Sequence, residues 1–290
     1  MGKPKEVHVD SLTAFTKQIE TLLNKASLAH GAGAYDGNWY RGVGAANSHS
    51  LGPTLYRHPK TVDITQLLIL ERRMMEDFER QNVLHTAASA TAVSHNDLRT
   101  LFYMQHYQVP TRLLDWSSNP FISLYFALSS ARIDEKTGKF PEDAAVWVLD
   151  PVSWNRIALA HSSHGDSGPL SESTAATNYG PRKVINNVLE PTGLATLNER
   201  PAAILGASNN ARMFAQRGVF TIFGKDTTPM EQQFDTNKFP LGSLTKIVID
   251  KDKISELLTL LLRIGYTDSV SYPDLHGLAM EIKRFRGFRV

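Results

Sequence analysis

The chain has 290 residues and is 42% hydrophobic, enough to bury a substantial core, which excludes global disorder. Lys and Arg total 31 against 29 Asp and Glu, a formal charge of +2, so charge alone singles out no partner. Cysteine is absent, which excludes disulfides, thiolate catalysis, Cys-bound zinc and iron–sulfur clusters, and fits a reducing compartment. Met1 to Glu6 has no apolar segment behind its charges, so a cytoplasmic location is expected. The apolar stretches Phe121 to Ala131 and Leu257 to Leu262 fall short of the roughly 20 residues a membrane span needs, and no membrane partner is expected.

Leu12, Phe15, Ile19, Leu22 and Leu23 recur at helical spacing, predicting an amphipathic helix over 11–23 capped by Asp10 or Ser11. The Gly- and Ala-rich 26–37 reads as a loop, and Asn38 to Val43, aromatic and β-branched between glycines, as a strand ending in a turn. A second helix is predicted over 63–82 from Leu67, Leu68, Leu70, Met74, Met75 and Phe78, with the methionines as core. A third, Leu98 to Tyr107, follows a capping stretch at 94–97. Val109-Pro110 then forces extended backbone, and Ser118 or Asn119 caps a buried helix opened by Pro120 and running to Ala131.

Further on, Ala144 to Leu149, Val219 to Phe223 and Lys246 to Ile249 are β-rich, and 250–264 is a helix stopped by Gly265. The Ser/Gly/Thr/Ala-rich 162–180 reads as a long surface loop. The expected architecture is α+β, with strands concentrated after the midpoint and no repeat. The expected division is an N-terminal helix and loop, 1–37, packed on a single α+β unit, 38–290.

Two clusters carry chemistry. Arg41 at a strand end followed by Gly42 presents a guanidinium fork suited to a phosphate pair; pairing of Arg41 with a structural carboxylate such as Glu71 is the alternative. Gln105 to Trp116 packs His106, Thr111, Arg112, Asp115 and Trp116 into twelve positions. A buried Arg112–Asp115 pair and a helix-capping His106 are the structural alternative.

Trp39-Tyr40-Arg41-Gly42, Leu51-Gly52-Pro53-Thr54-Leu55-Tyr56-Arg57 and Gln105 to Trp116 resemble the motifs of the bacterial FRG domain. Asn119-Pro120, Tyr125-Phe126-Ala127, Arg212, Ala215 to Phe220 and Tyr272 to Leu278 look like its later motifs, so that the resemblance runs over roughly 38–280. The order of these segments is also similar to ADP-ribosyltransferases of the Arg-Ser-Glu class, which implies an ADP-ribosyltransferase-like core with a mainly antiparallel sheet and flanking helices, and NAD as substrate. The similarity implies that Arg41 and Gly42 hold phosphate, that His106, Thr111 and Arg112 shape the pocket, and that Gln216 positions the ribose. Gly218 stands where that class has its catalytic Glu, and Gln216 is neutral, so the carboxylate would come from Asp115 or Glu71. Arg41, His106, Arg112, Asp115 and Gln216 are accordingly expected to meet in one cleft.

The implied role is a cytoplasmic effector in a defence or toxin setting that acts on NAD or a nucleotide, with a protein or nucleic-acid acceptor. The alternative is a noncatalytic nucleotide- or nucleic-acid-sensing domain. No metal site is expected, because no HxxxH or HxD pair marks one, and His161 and His164 read as solvated. Lys283 to Arg289 interleaves basic and aromatic residues as nucleic-acid binders do, or forms a solvated tail.

Overall fold

The computed structural model describes residues 2–30, 35, 37–82, 97–162, 168–206, 211–288 and 290. The first half contains β1 (Lys5–Val9), α1 (Leu12–His30), β2 (Trp39–Val43), α2 (Ile64–Asn82), α3 (Asp97–His106), β3 (Leu113–Ser117), α4 (Pro120–Ser129) and β4 (Ala144–Leu149). There follow α5 (Pro151–Ala158), α6 (Glu172–Tyr179), the hairpin β5 (Val184–Ile185) and β6 (Val188–Leu189), α7 (Pro191–Ala195), β7 (Ala202–Ile204), α8 (Ala211–Ala215) and β8 (Gly218–Ile222). The chain ends with α9 (Met230–Gln233), β9 (Leu244–Ile249), α10 (Ile254–Arg263), α11 (Asp268–Ser271) and α12 (Leu275–Phe285).

Seven strands form one sheet in the order β1-β9-β4-β2-β3-β8-β7. Only β1 and β9 run parallel; the other neighbours are antiparallel. Side chains alternate between faces. Tyr40, Val146, Val148, Ile247 and Ile249 pack under α1, α4 and α10. Trp39, Val43, Ala145, Trp147 and Leu149 belong to a larger core with α2, α3, α5 and α6. The sheet is therefore covered on both sides, a mixed α/β architecture with a mainly antiparallel sheet and flanking helices.

The sheet has one weak seam. β2 pairs with β4 over five residues, and β3 with β8 over five, but β2 meets β3 only at Tyr40 and Ser117. Two half-sheets thus diverge from that bridge. Helix α4 fills one side of the seam, its N-terminus set by Asn119, whose Oδ1 accepts from the N–H groups of Phe121 and Ile122, and by Pro120 at the first turn.

Several expectations are corrected. The first helix continues to His30, anchored there by its 2.9 Å contact with Asp150, so residues 26–30 are helix and not loop. Residues 162–180 are not one loop: Ser171 and Thr174 form a capping box that starts α6. Six of the nine strands among the described residues, β4 to β9, lie at or after the midpoint as expected, but β1 and β3 were not anticipated before it. Lys5 to Val9 escapes a hydrophobic pattern because it is a charged edge strand. Leu113 to Ser117 escapes because it is buried at every position except Asp115. The helix expected over 250–264 begins with a 3-10 turn at Lys251–Lys253. Lys283 to Phe285 belongs to α12, where Arg284 is tied to Asp268 at 2.9 Å, so this stretch is not a free basic tail. The caps expected at 94–96 and the partner histidine His164 lie outside the described residues. Among the described residues no helix is long and apolar enough to cross a membrane.

A Cβ on Gly42 would lie 1.9 Å from the Ser123 carbonyl oxygen and 2.5 Å from the Ala127 nitrogen. Both atoms are α4 backbone and cannot swing aside. Gly42→Ala is expected to cost about 3 kcal/mol in chemical denaturation, as overpacking against rigid neighbours does.

Candidate functional site

The divergence of β2 and β3 opens a cleft of about 540 Å³, within the range of small-molecule sites. Arg41, on β2, projects into it. Its Nη1 donates to the Asp115 carbonyl at 2.7 Å, spanning the gap that backbone pairing leaves. Its Nε has no hydrogen-bond partner among the described residues. Burial pushes the Arg41 guanidinium below its usual pKa, with the Asp115 charge opposing and that of Arg57 adding to the effect. A desolvated guanidinium with an unused N–H is a strong anion ligand.

The Asp115 side chain faces the cleft from β3, and among the described lining residues it is the carboxylate. It is exposed to the cavity yet deep within the fold. Burial raises its pKa, opposed by Arg41 and by a hydrogen bond from Gln105. Gln105 Nε2 donates to Asp115 Oδ2 at 2.8 Å, and its Oε1 accepts from the Thr111 hydroxyl at 2.5 Å. Thr111 Oγ1 in turn accepts from the Leu113 N–H at 3.1 Å. This chain fixes the Gln105 amide and hence aims the carboxylate.

Across the cleft, Arg212 lies 4.6 Å from the Tyr272 ring centroid, a cation–π contact that holds its guanidinium at the wall. Burial and then the Arg212 charge lower the pKa of His106, which favours its neutral imidazole. Gln216 Nε2 donates to the Ser271 carbonyl at 2.9 Å, and Ser117 Oγ donates to the Gln216 carbonyl at 2.6 Å. Gln108 and Arg217 have φ of 62° and 47°. Left-handed backbone is unfavourable for such residues, and here it falls at the cleft lining and beside Gln216 and Gly218.

The structure thus brings Arg41, His106, Asp115 and Gln216 together, with Gly42 in the lining. Gly42 sits there because α4 presses on it. Arg112 does not join them. Its Nε donates to both Glu71 oxygens at 3.0 and 2.9 Å, Nη1 to Phe223 O at 2.9 Å and Nη2 to Tyr179 O at 2.9 Å. Both Arg112 and Glu71 are 0% exposed, and neither lines the cleft. Burial works against the Arg112 charge, but Glu71 and Tyr56 together outweigh it and hold its pKa above the usual value. Glu71 therefore partners Arg112, not Arg41, and Arg112 does not pair with Asp115. Thr111 is also fully buried and reaches the cleft only through Gln105.

Arg212 and Tyr272 lay within the motif segments but were not expected as site residues. The signal for Arg212 is its spacing four before Gln216, since the Gln216 N–H bonds the Arg212 carbonyl at 2.9 Å and one helical turn aligns the two. Among the described residues no group of His, Asp and Glu is arranged to hold a metal.

The two arginines have separable roles. Arg112→Met is expected to lose about 3–5 kcal/mol in urea unfolding by stranding a buried carboxylate. Arg41→Ala is expected to lose about 1 kcal/mol or less, since its partner is a single carbonyl.

No curated protein and no solved structure matches the chain. The family model of the FRG domain matches residues 36–136, the stretch that contributes Arg41, Gly42, Gln105, His106 and Asp115 to the cleft. Residues 36–136 thus match the FRG domain, and this stretch builds one side of the candidate site.

Proposed function

We propose that the cleft binds NAD or a related nucleotide on an ADP-ribosyltransferase-like core, and that the protein is a bacterial effector acting in a defence or toxin setting. The observation that carries this reading is the meeting of a desolvated Arg41 and a second guanidinium, Arg212, with Asp115, the one lining carboxylate among the described residues, in one cavity between diverging strands. The two cations suit a diphosphate. Phe126, Trp116 and Tyr272 supply aromatic wall, and neutral His106 and the amide of Gln216 offer hydrogen bonds to ribose hydroxyls.

In the reaction the bond from ribose C1′ to the nicotinamide nitrogen breaks, and its electron pair leaves with nicotinamide. An oxygen of water or of an acceptor bonds to C1′ and releases its proton. The Asp115 carboxylate stabilises the positive charge that develops on the ribose. The presence of Gly218 at the position where the similarity expects Glu supports a second reading, in which the cleft binds a nucleotide without turning it over.

Titration calorimetry with NAD and ADP-ribose, together with nicotinamide release, tests both. Arg41→Ala is expected to weaken binding by about tenfold or more through loss of a charge-assisted contact. Asp115→Asn is expected to slow release by roughly 100-fold or more while binding persists. Release by the parent protein should fall as pH drops through the Asp115 pKa, at a higher pH than an ordinary aspartate would give. The raised pKa also implies that the stability contributed by the neutral acid is lost as pH rises, so Asp115→Asn should not lower the melting temperature at pH 7. Binding without release favours the second reading; no binding of either nucleotide sinks both.

A further inference from the structure

Helix α12 is inverted relative to an ordinary surface helix. The side it turns to the domain carries Gly277, Met280, Glu281 and Arg284. A Cβ on Gly277 would lie 1.9 Å from the Tyr272 carbonyl oxygen, so this turn of the helix rests directly on backbone. Glu281 accepts from the Ser269 N–H at 3.0 Å. Arg284 donates through Nε and Nη2 to Asp268 at 2.9 and 3.0 Å, and Asp268 also accepts from the Tyr125 hydroxyl at 2.6 Å. Polar anchors thus hold the helix with its apolar side outward. Leu275, Leu278, Ile282 and Phe285 are 83%, 45%, 55% and 61% exposed. Their spacing of three, four and three residues is the a/d pattern of a helix seam, so the shape they offer is complementary to another helix.

We propose that α12 is a self-association surface whose occupant is α12 of a second copy, packed antiparallel. Three observations select that occupant. The a/d spacing matches itself when the helix is reversed, setting Leu275 against Phe285 and Leu278 against Ile282 of the other copy. Charge is polarised along the helix: Asp274 is exposed at its N-terminus, and Lys283 and Arg286 are exposed at its C-terminal end. Reversal brings each acid to the other copy's cations and opposes the helix dipoles, whereas parallel packing sets like against like. With Phe288, also largely exposed, the stripe leaves on the order of 500 Å² of apolar surface per copy, so a symmetric pair removes on the order of 1,000 Å² from water, at the threshold for a specific interface. The pairing does not depend on the chemistry of the cleft.

Sedimentation equilibrium of the full chain from about 1 to 100 μM, the range in which such an area gives measurable association, tests the proposal. The expected result is a mass that rises from one chain to two. The double variant Ile282→Asp/Phe285→Asp should remain a single chain with an unchanged melting temperature at low concentration, because both side chains already face water. The absence of native cysteine allows an orientation test. Oxidising a mixture of Leu275→Cys and Phe285→Cys proteins should give the mixed cross-linked pair, and neither variant alone should cross-link. A single-chain mass throughout, a dimer that survives the double variant, or cross-linking within either single variant would overturn the proposal. So would a protein that never dimerises but binds anionic phospholipid vesicles through the same residues.

Discussion

The divergence of β2 from β3 is the constraint on which the cleft depends. A sheet of seven strands with full ladders would leave no room for a ligand, because neighbouring strands lie about 4.8 Å apart. Here the ladder between β2 and β3 shrinks to the Tyr40–Ser117 bridge. The space beyond it is spanned by the Arg41 side chain, which bonds the Asp115 carbonyl. The same guanidinium therefore satisfies an open strand edge and lines the cleft. Helix α4 stabilises the opening from one face: Ser123 Oγ donates to the Tyr40 carbonyl at 2.9 Å, and the bare Cα of Gly42 lets the helix backbone approach. Loss of that glycine would push the helix off the seam.

Two arginines, each beside or within a central strand, have opposite fates, and the difference is desolvation with or without compensation. Arg112 is enclosed, but Glu71 and two backbone carbonyls take its donors, which ties α2, α6, the start of β3 and the end of β8 together. Buried charge is tolerable only when paired in this way. Arg41 is held by one carbonyl and keeps an unpartnered Nε. Residual electrostatic demand of that kind, beside a carboxylate whose pKa burial has raised, is a physical mark of a ligand site.

The far wall of the cleft is assembled from the later part of the chain. Helix α8 brings Arg212 and the turn after it Gln216, and the corner between α11 and α12 brings Tyr272 and the Ser271 carbonyl. That corner is pinned by the buried Asp268, which accepts from Tyr125 on α4 and Arg284 on α12. Position of the wall is thus linked to the helix that fills the seam. Left-handed backbone occurs at Gln108, in the cleft lining, and at Arg217, beside Gln216, and such strain persists only where surrounding contacts over-determine it.

Local pattern was enough to read the helix cores of α1, α2 and α4, the Asn119-Pro120 start of α4, strands β2, β4, β8 and β9, and the concentration of polar residues in 105–116. These are signals carried by neighbouring residues: periodicity, caps and composition. Local pattern failed at β1, a strand made of edge charges, at β3, buried on both faces, and at α6, whose start lies in Ser171 and Thr174 and not in an apolar stripe. The sequence by itself also determined that Arg41, Arg112, Glu71 and Asp115 carry the charges from which a site could be built. Only the tertiary structure decided which arginine is bound to which carboxylate, because pairing depends on which strand lies beside which helix. It placed Glu71 and Arg112 in the core, left Arg41 and Asp115 facing the opening, and brought Arg212 and Tyr272 to them from distant parts of the chain, since burial and partner geometry, not residue identity, set whether a charge is structural or available.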